Sequence, residues 1–96
     1  MLVLITYDVR TENDAGKRRL RRVAELLESY GQRVQNSVFE CLLDPAQLVL
    51  LKNELEGEIK SEEDSLRFYY LGKNWERRVE HVGAKPSYNP EGPLII

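Results

Sequence analysis

An α+β fold, with two helices laid on a sheet in the order βαββαβ, is what this sequence predicts, and three observations predict it. Short apolar runs of strand length alternate with two stretches of helical periodicity. No internal repeat or low-complexity segment interrupts them. A length of 96 residues leaves room for one core and one layer of helices.

The first strand is Leu2 to Tyr7, apolar on both faces as a central, doubly covered strand should be. It ends at Asp8. Asn13 or Asp14 then caps a helix beginning near Ala15, whose Leu20, Val23, Ala24, Leu27 and Tyr30 recur at three- and four-residue intervals. Gly31 supplies the helix stop. Arg33 to Leu43 is strand-like, with Asn36 and Ser37 marking a bend or bulge between two short strands.

Asp44-Pro45 is a cap followed by proline at the first helical position. The second helix runs to about Gly57 and buries Leu48, Leu51 and Leu55, and the acidic 56–64 stretch is expected to be a solvated loop. Ser65 to Leu71 alternates Leu66, Phe68 and Tyr70 with Arg67, Tyr69 and Leu71, and Gly72 closes this strand. A further short strand is expected near Arg78 to Val82.

The order is the split βαβ pattern of a ferredoxin-like sandwich, with right-handed crossovers placing both helices on one sheet face. Residues 1–85 read as the domain and 86–96 as a C-terminal segment. That segment carries Pro86, Pro90 and Pro93 and ends in Leu94-Ile95-Ile96. An apolar end of this kind is expected to form an extra strand on the sheet edge of a partner subunit.

Composition narrows the function classes. With 42% hydrophobic and 31% charged residues, the chain reads as an ordinary globular domain rather than a disordered tail. No apolar run approaches the roughly 18 residues a membrane span needs, and Met1 to Tyr7 lacks a basic leader and cleavage site. The lone Cys41 excludes an intrachain disulfide and suits a reducing, cytoplasmic setting. The net charge of −2 at first argues against nucleic acid. Its distribution argues the other way. Half of the 14 basic residues (Arg10, Lys17, Arg18, Arg19, Arg21, Arg22 and Arg33) fall within residues 10–33, and an acidic cluster occupies 54–64.

Asp8 is the first candidate for chemistry. At the carboxyl end of a central strand its side chain leaves the core, where a carboxylate can ligate Mg²⁺. A two-fold axis beside it would bring two such carboxylates together. Alternatively, Asp8 caps the turn before residue 10. The first helix is the second candidate. Lys17, Arg18, Arg21 and Arg22 lie opposite the apolar stripe, either as a solvated face with an Arg21–Glu25 pair or as a phosphate-binding ridge. The position of Lys17, Arg18 and Arg19 in the first turns favours phosphate, because the helix dipole disfavours cations there. Phe39 either packs in the core, packs across a dimer seam or stacks on a base. His81 and Ser37 have no catalytic partner in the sequence, and Cys41 reads as a small apolar residue.

No Walker loop, GxGxxG, zinc spacing or Ser-His-Asp set is present, and Ser65 to Leu71 lacks the core of an RNA-recognition signature. A small-ligand regulatory dimer is also compatible with this pattern.

Ile5-Thr6-Tyr7-Asp8-Val9, a basic helix, and then Tyr30-Gly31-Gln32-Arg33-Val34-Gln35-Asn36-Ser37-Val38-Phe39-Glu40 resemble the CRISPR-associated (Cas) protein two family across essentially the whole chain. The resemblance implies a ferredoxin-like homodimer with its two Asp8 carboxylates facing each other as Mg²⁺ ligands. It implies a metal-dependent endonuclease on RNA or DNA, with Asp8 catalytic and Arg33 or a helix-one arginine steadying charge, or alternatively a purely architectural DNA-binding subunit without nuclease activity in the cell. Tyr7, Arg33, Ser37 and Phe39 match other motif positions near that cleft, while Arg10, Lys17, Arg18 and Arg22 carry over as a basic surface. The implied partners are DNA, single-stranded RNA and the CRISPR integrase subunit that inserts new spacers, with 86–96 docking on it.

Overall fold

The computed structural model describes residues 1–83. Its elements are β1 (Leu2–Asp8), α1 (Asp14–Glu28), β2 (Gln32–Gln35), β3 (Val38–Leu42), α2 (Pro45–Glu58) and β4 (Ser65–Gly72), followed by a 3₁₀ turn at Trp75–Arg77. The sheet order is β2-β3-β1-β4, with β1 antiparallel to both β3 and β4. That is the split βαβ arrangement predicted, and it makes β1 the central strand.

The core forms between the helices and one sheet face. Val3, Ile5 and Tyr7 of β1 and Phe39 and Cys41 of β3 meet Val23 and Leu27 of α1 and Leu51 and Leu55 of α2. Burying each of the larger apolar side chains contributes about 1.5–3 kcal/mol. Cys41 sits fully inside, and burial, with Glu40 adding to it, pushes its thiol pKa up to about 12. A thiol so rarely ionised is core, not nucleophile.

Both helix starts follow their sequence signals. The Asn13 side chain accepts from the Gly16 N–H at 2.8 Å. Asp44 and Gln47 form a reciprocal capping box ahead of Pro45.

Four expectations need correction. Gly31 is not a left-handed helix stop, since the only glycines with positive φ among the described residues are Gly72 and Gly83. Gly31 is needed because an added Cβ would collide with the Glu40 carbonyl and the Cys41 sulfur. The segment Arg78 to Val82 forms no strand; the 3₁₀ turn precedes it and no ladder reaches it. The 56–64 stretch is not all solvated, because Asp64 is buried in an ion pair. Finally, the alternation of β4 breaks at Tyr70. The β1·β4 register shifts between Leu2 and Val3, and Tyr69 and Tyr70 are both exposed. The expected extra strand and docking segment at 86–96 lie outside the described residues.

Gly16 sits where α1 meets the loop that leaves β1. A Cβ there would overlap the Arg10 carbonyl oxygen and crowd the Thr11 Cα. Gly16→Ala should therefore destabilise by about 1–3 kcal/mol in urea unfolding, although alanine is the better helix former. An unchanged or raised midpoint would show that this close approach is not tight.

Candidate functional site

The site is built where β1 runs out. Alternation sends Val3, Ile5 and Tyr7 into the core, so Leu4, Thr6 and Asp8 take the opposite face. Asp8 is exposed and stands opposite Ser65 in the β1·β4 register. On its other side the Tyr7 backbone N–H donates to the Ser37 carbonyl, and the Tyr7 hydroxyl donates to the Asn36 carbonyl, each at 3.1 Å. Buried Tyr7 thus fastens the β2–β3 turn beside Asp8. Burial raises the pKa of this phenol, against a lowering influence from Arg33. Thr6, Asp8, Ser37, Ser65 and Arg67 line a cleft of ≈ 420 Å³.

The Asp8 carboxylate has no hydrogen-bond or ion-pair partner among the described residues. The turn-capping role left open for it belongs to Asp64. One oxygen of Asp64 accepts the Arg10 backbone N–H at 3.0 Å, and the other accepts the Lys60 N–H at 2.9 Å. Arg19 donates its Nε to Asp64 Oδ2 at 2.8 Å. Burial alone would raise the Asp64 carboxyl, but the Arg19 and backbone hydrogen bonds outweigh it and hold the pKa below the ordinary carboxylate range.

The oxygen donors around Asp8 fit a hard divalent cation. Mg²⁺ is usually held by one or two carboxylates and keeps several waters, and the Ser37 and Ser65 hydroxyls suit water-mediated contacts. No group of three or more His, Cys, Asp or Glu side chains collects among the described residues. Among the described residues lining this cleft, Asp8 is the one carboxylate.

The sequence-predicted cations do not converge on this cleft. Arg33 pairs with Glu28 at 3.1 Å and lies 5.2 Å over the Phe39 ring centroid, closing the core edge instead of facing Asp8. Phe39 is completely buried, 6.1 Å from Tyr7 between ring centroids, which resolves it as packing and not a base platform. Arg10 pairs with Glu12 and Arg22 with Glu58. Arg19, counted with the phosphate-facing residues, is buried against Asp64 and Glu63. The expected Arg21–Glu25 pair does not form. Lys17, Arg18 and Arg21 are exposed with no carboxylate partner among the described residues. These three form an exposed cationic ridge on α1.

The cation that does line the cleft is Arg67, opposite Thr6 on β4, donating to the Tyr69 hydroxyl at 3.1 Å. Alternation placed it on one face of its strand, but only the antiparallel register shows that this is the face of Asp8. A larger groove of ≈ 480 Å³ between α1 and α2 is rimmed by Glu25, Glu54 and Glu58, with Arg22 held by Glu58 at 2.8 Å.

Residues 1–79 match the family model described as CRISPR associated protein Cas2. The chain is 64% identical over 96 residues to the CRISPR-associated endoribonuclease Cas2 of Nitratidesulfovibrio vulgaris, covering 100% of this chain and 94% of the relative. It resembles the crystal structure of Streptococcus pyogenes Cas2 at pH 6.5, with TM-score 0.76 and 60% identity over 86% of this chain and 100% of that one. It also resembles a chain of a partial Cas6-RT-Cas1–Cas2 complex, with TM-score 0.65 and 33% identity over 84% of this chain and 89% of that one.

Proposed function

The chain belongs to the CRISPR associated protein Cas2 family, and from that premise we propose that it is a homodimeric, divalent-metal-dependent endonuclease that also holds DNA for a Cas1-type integrase partner in spacer acquisition. The observation that carries the reading is Asp8: an exposed carboxylate with no structural task, in a cleft whose turn is capped by another residue. Support for the nuclease comes from the relative named an endoribonuclease, and support for the partner from the Cas1–Cas2 complex.

In the nuclease, Asp8 of each chain would hold Mg²⁺ jointly across a two-fold axis, with Ser37 and Ser65 contributing through water. Bound there, the ion would supply charge stabilisation at the phosphoryl oxygens and a more acidic water. Arg67 draws the scissile phosphate into the cleft by charge. Tyr7 keeps the Ser37 turn from moving, so the hydroxyls stay beside Asp8. Lys17, Arg18 and Arg21 bind the flanking backbone, releasing counterions and anchoring the duplex on this exposed ridge. No described helix is long and apolar enough to cross a membrane, and the reading places the protein in the cytoplasm with its nucleic acid.

The test is ligand removal. Incubated with single-stranded RNA and with duplex DNA, the wild-type chain should cleave in Mg²⁺ and stop in EDTA. Cleavage surviving the chelator, or none with either polymer in Mg²⁺, would overturn the nuclease part. The binding part has its own measurement. Lys17→Glu with Arg18→Glu should weaken duplex affinity and reduce the slope of log K against log salt by roughly 2 for each subunit's ridge that the duplex contacts, near 0.9 per lost phosphate contact. An unchanged slope would move the nucleic-acid surface elsewhere.

A further inference from the structure

We propose that buried Asp64, with Arg19, is the positioning pair of the Asp8 cleft, fixing the carboxylate where a divalent ion can use it; this rests on the reading of Asp8 as a metal ligand. Asp64 reaches Asp8 by two routes. Along the chain, it accepts the N–H of Arg10, two residues beyond Asp8. Across the sheet, its neighbour Ser65 is the ladder partner of Asp8. Arg19 joins this carboxylate to α1 through Nε at 2.8 Å and Nη2 at 3.3 Å.

One turn earlier on the same helix, Gly16 presses on the Arg10 carbonyl so closely that no Cβ fits. Both polar groups of the Arg10 peptide region are thereby gripped, the N–H by Asp64 and the carbonyl side by the bare Gly16 backbone. Three segments, 8–10, 16–19 and 60–65, are tied at one buried point. Stability by itself would not require charge there, since apolar residues of similar volume commonly serve a buried site as well as an ion pair does. An apolar side chain could not hold the Arg10 N–H. Directional hold on the backbone leaving Asp8 is what the carboxylate adds, together with a fixed spacing between that carboxylate and the Lys17–Arg18 ridge.

The experiment uses the full chain with Mn²⁺ as the probe, titrated calorimetrically, alongside amide hydrogen exchange at Arg10 and thermal melting. Asp64→Asn and Arg19→Lys should keep a cooperative melt, speed exchange at Arg10, and weaken Mn²⁺ about 10-fold, the lower range for groups that orient metal ligands. Leu48→Ala, on α2 away from the cleft, serves as a control for general loss of stability and should leave Mn²⁺ affinity within about twofold. Wild-type Mn²⁺ affinity in both pair variants, or equal weakening in Leu48→Ala, would overturn the positioning role. Should the wild type itself bind no Mn²⁺, the metal reading fails instead. Exchange at Arg10 then decides the pair alone: faster in Asp64→Asn than in Leu48→Ala supports the hold, and no difference refutes it.

Discussion

In Asp8→Asn, metal-dependent cleavage should fall by about 100-fold or more while the melting temperature stays within about 2 °C of wild type. The rate follows from the magnitude of metal catalysis. A bound divalent ion supplies several kcal/mol of charge stabilisation, and each 1.4 kcal/mol or so is tenfold in rate. Asparagine keeps the shape of the side chain but offers a neutral oxygen to a hard cation. The stability half follows from geometry, because Asp8 is exposed and its carboxylate makes no hydrogen bond or ion pair among the described residues. Single-turnover cleavage and a thermal melt on the same preparation check both halves. Undiminished cleavage would assign the activity to another site or to a contaminant. A large fall in melting temperature would show that Asp8 has a structural task after all.

Asp64→Ala, unlike Asp8→Asn, should lower stability, by about 3 kcal/mol or roughly 15 °C in melting temperature for a domain of this size. The substitution strips the acceptors from the Arg10 and Lys60 N–H groups and leaves Arg19 buried with only Glu63 beside it. That remaining partner is why the lower end of the buried-pair range applies. A pH series sharpens the attribution. The carboxyl pKa of Asp64 is depressed on folding, so its contribution is fully present above the unfolded carboxylate value near 3.9 and is lost as pH falls through the folded value. The stability gap between wild type and Asp64→Asn should therefore be constant from about pH 7 to 5 and narrow below about pH 4. Urea unfolding at pH 7 and pH 3 measures it. A gap of equal size at both values would mean that the carboxylate charge is not what stabilises the loop.

The two aspartates show how far the sequence carries. Asp8 was legible because a strand of apolar residues ends on it, and the Tyr-Asp end followed by the Gly31 to Glu40 motif carries a family resemblance. Asp64 was hidden inside an acidic run whose members look alike in composition. Only one of them turns inward. Its partner Arg19 sits equally unmarked among Lys17, Arg18 and Arg21, one position from the apolar stripe, so that a small rotation of α1 decides whether it faces solvent or the β1–α1 loop.

Arg67 and Arg33 exchanged places for a related reason. Both stand on strands, and periodicity assigns each to one of two faces. The choice between faces comes from register. The antiparallel pairing of Asp8 with Ser65 sets Arg67 in the cleft, and the pairing of Arg33 with Phe39 sets that guanidinium over the core edge against Glu28.

By itself, then, the sequence determined the class of fold, the helix caps, most of the buried residues and the exposed carboxylate at the end of β1, because these depend on periodicity and on local hydrogen-bonding chemistry. Tertiary structure alone decided which charges pair, which arginine lines the cleft and which carboxylate is spare. Those outcomes depend on strand register and helix rotation, and on contacts such as Arg19 with Asp64, which lie 45 residues apart in the chain.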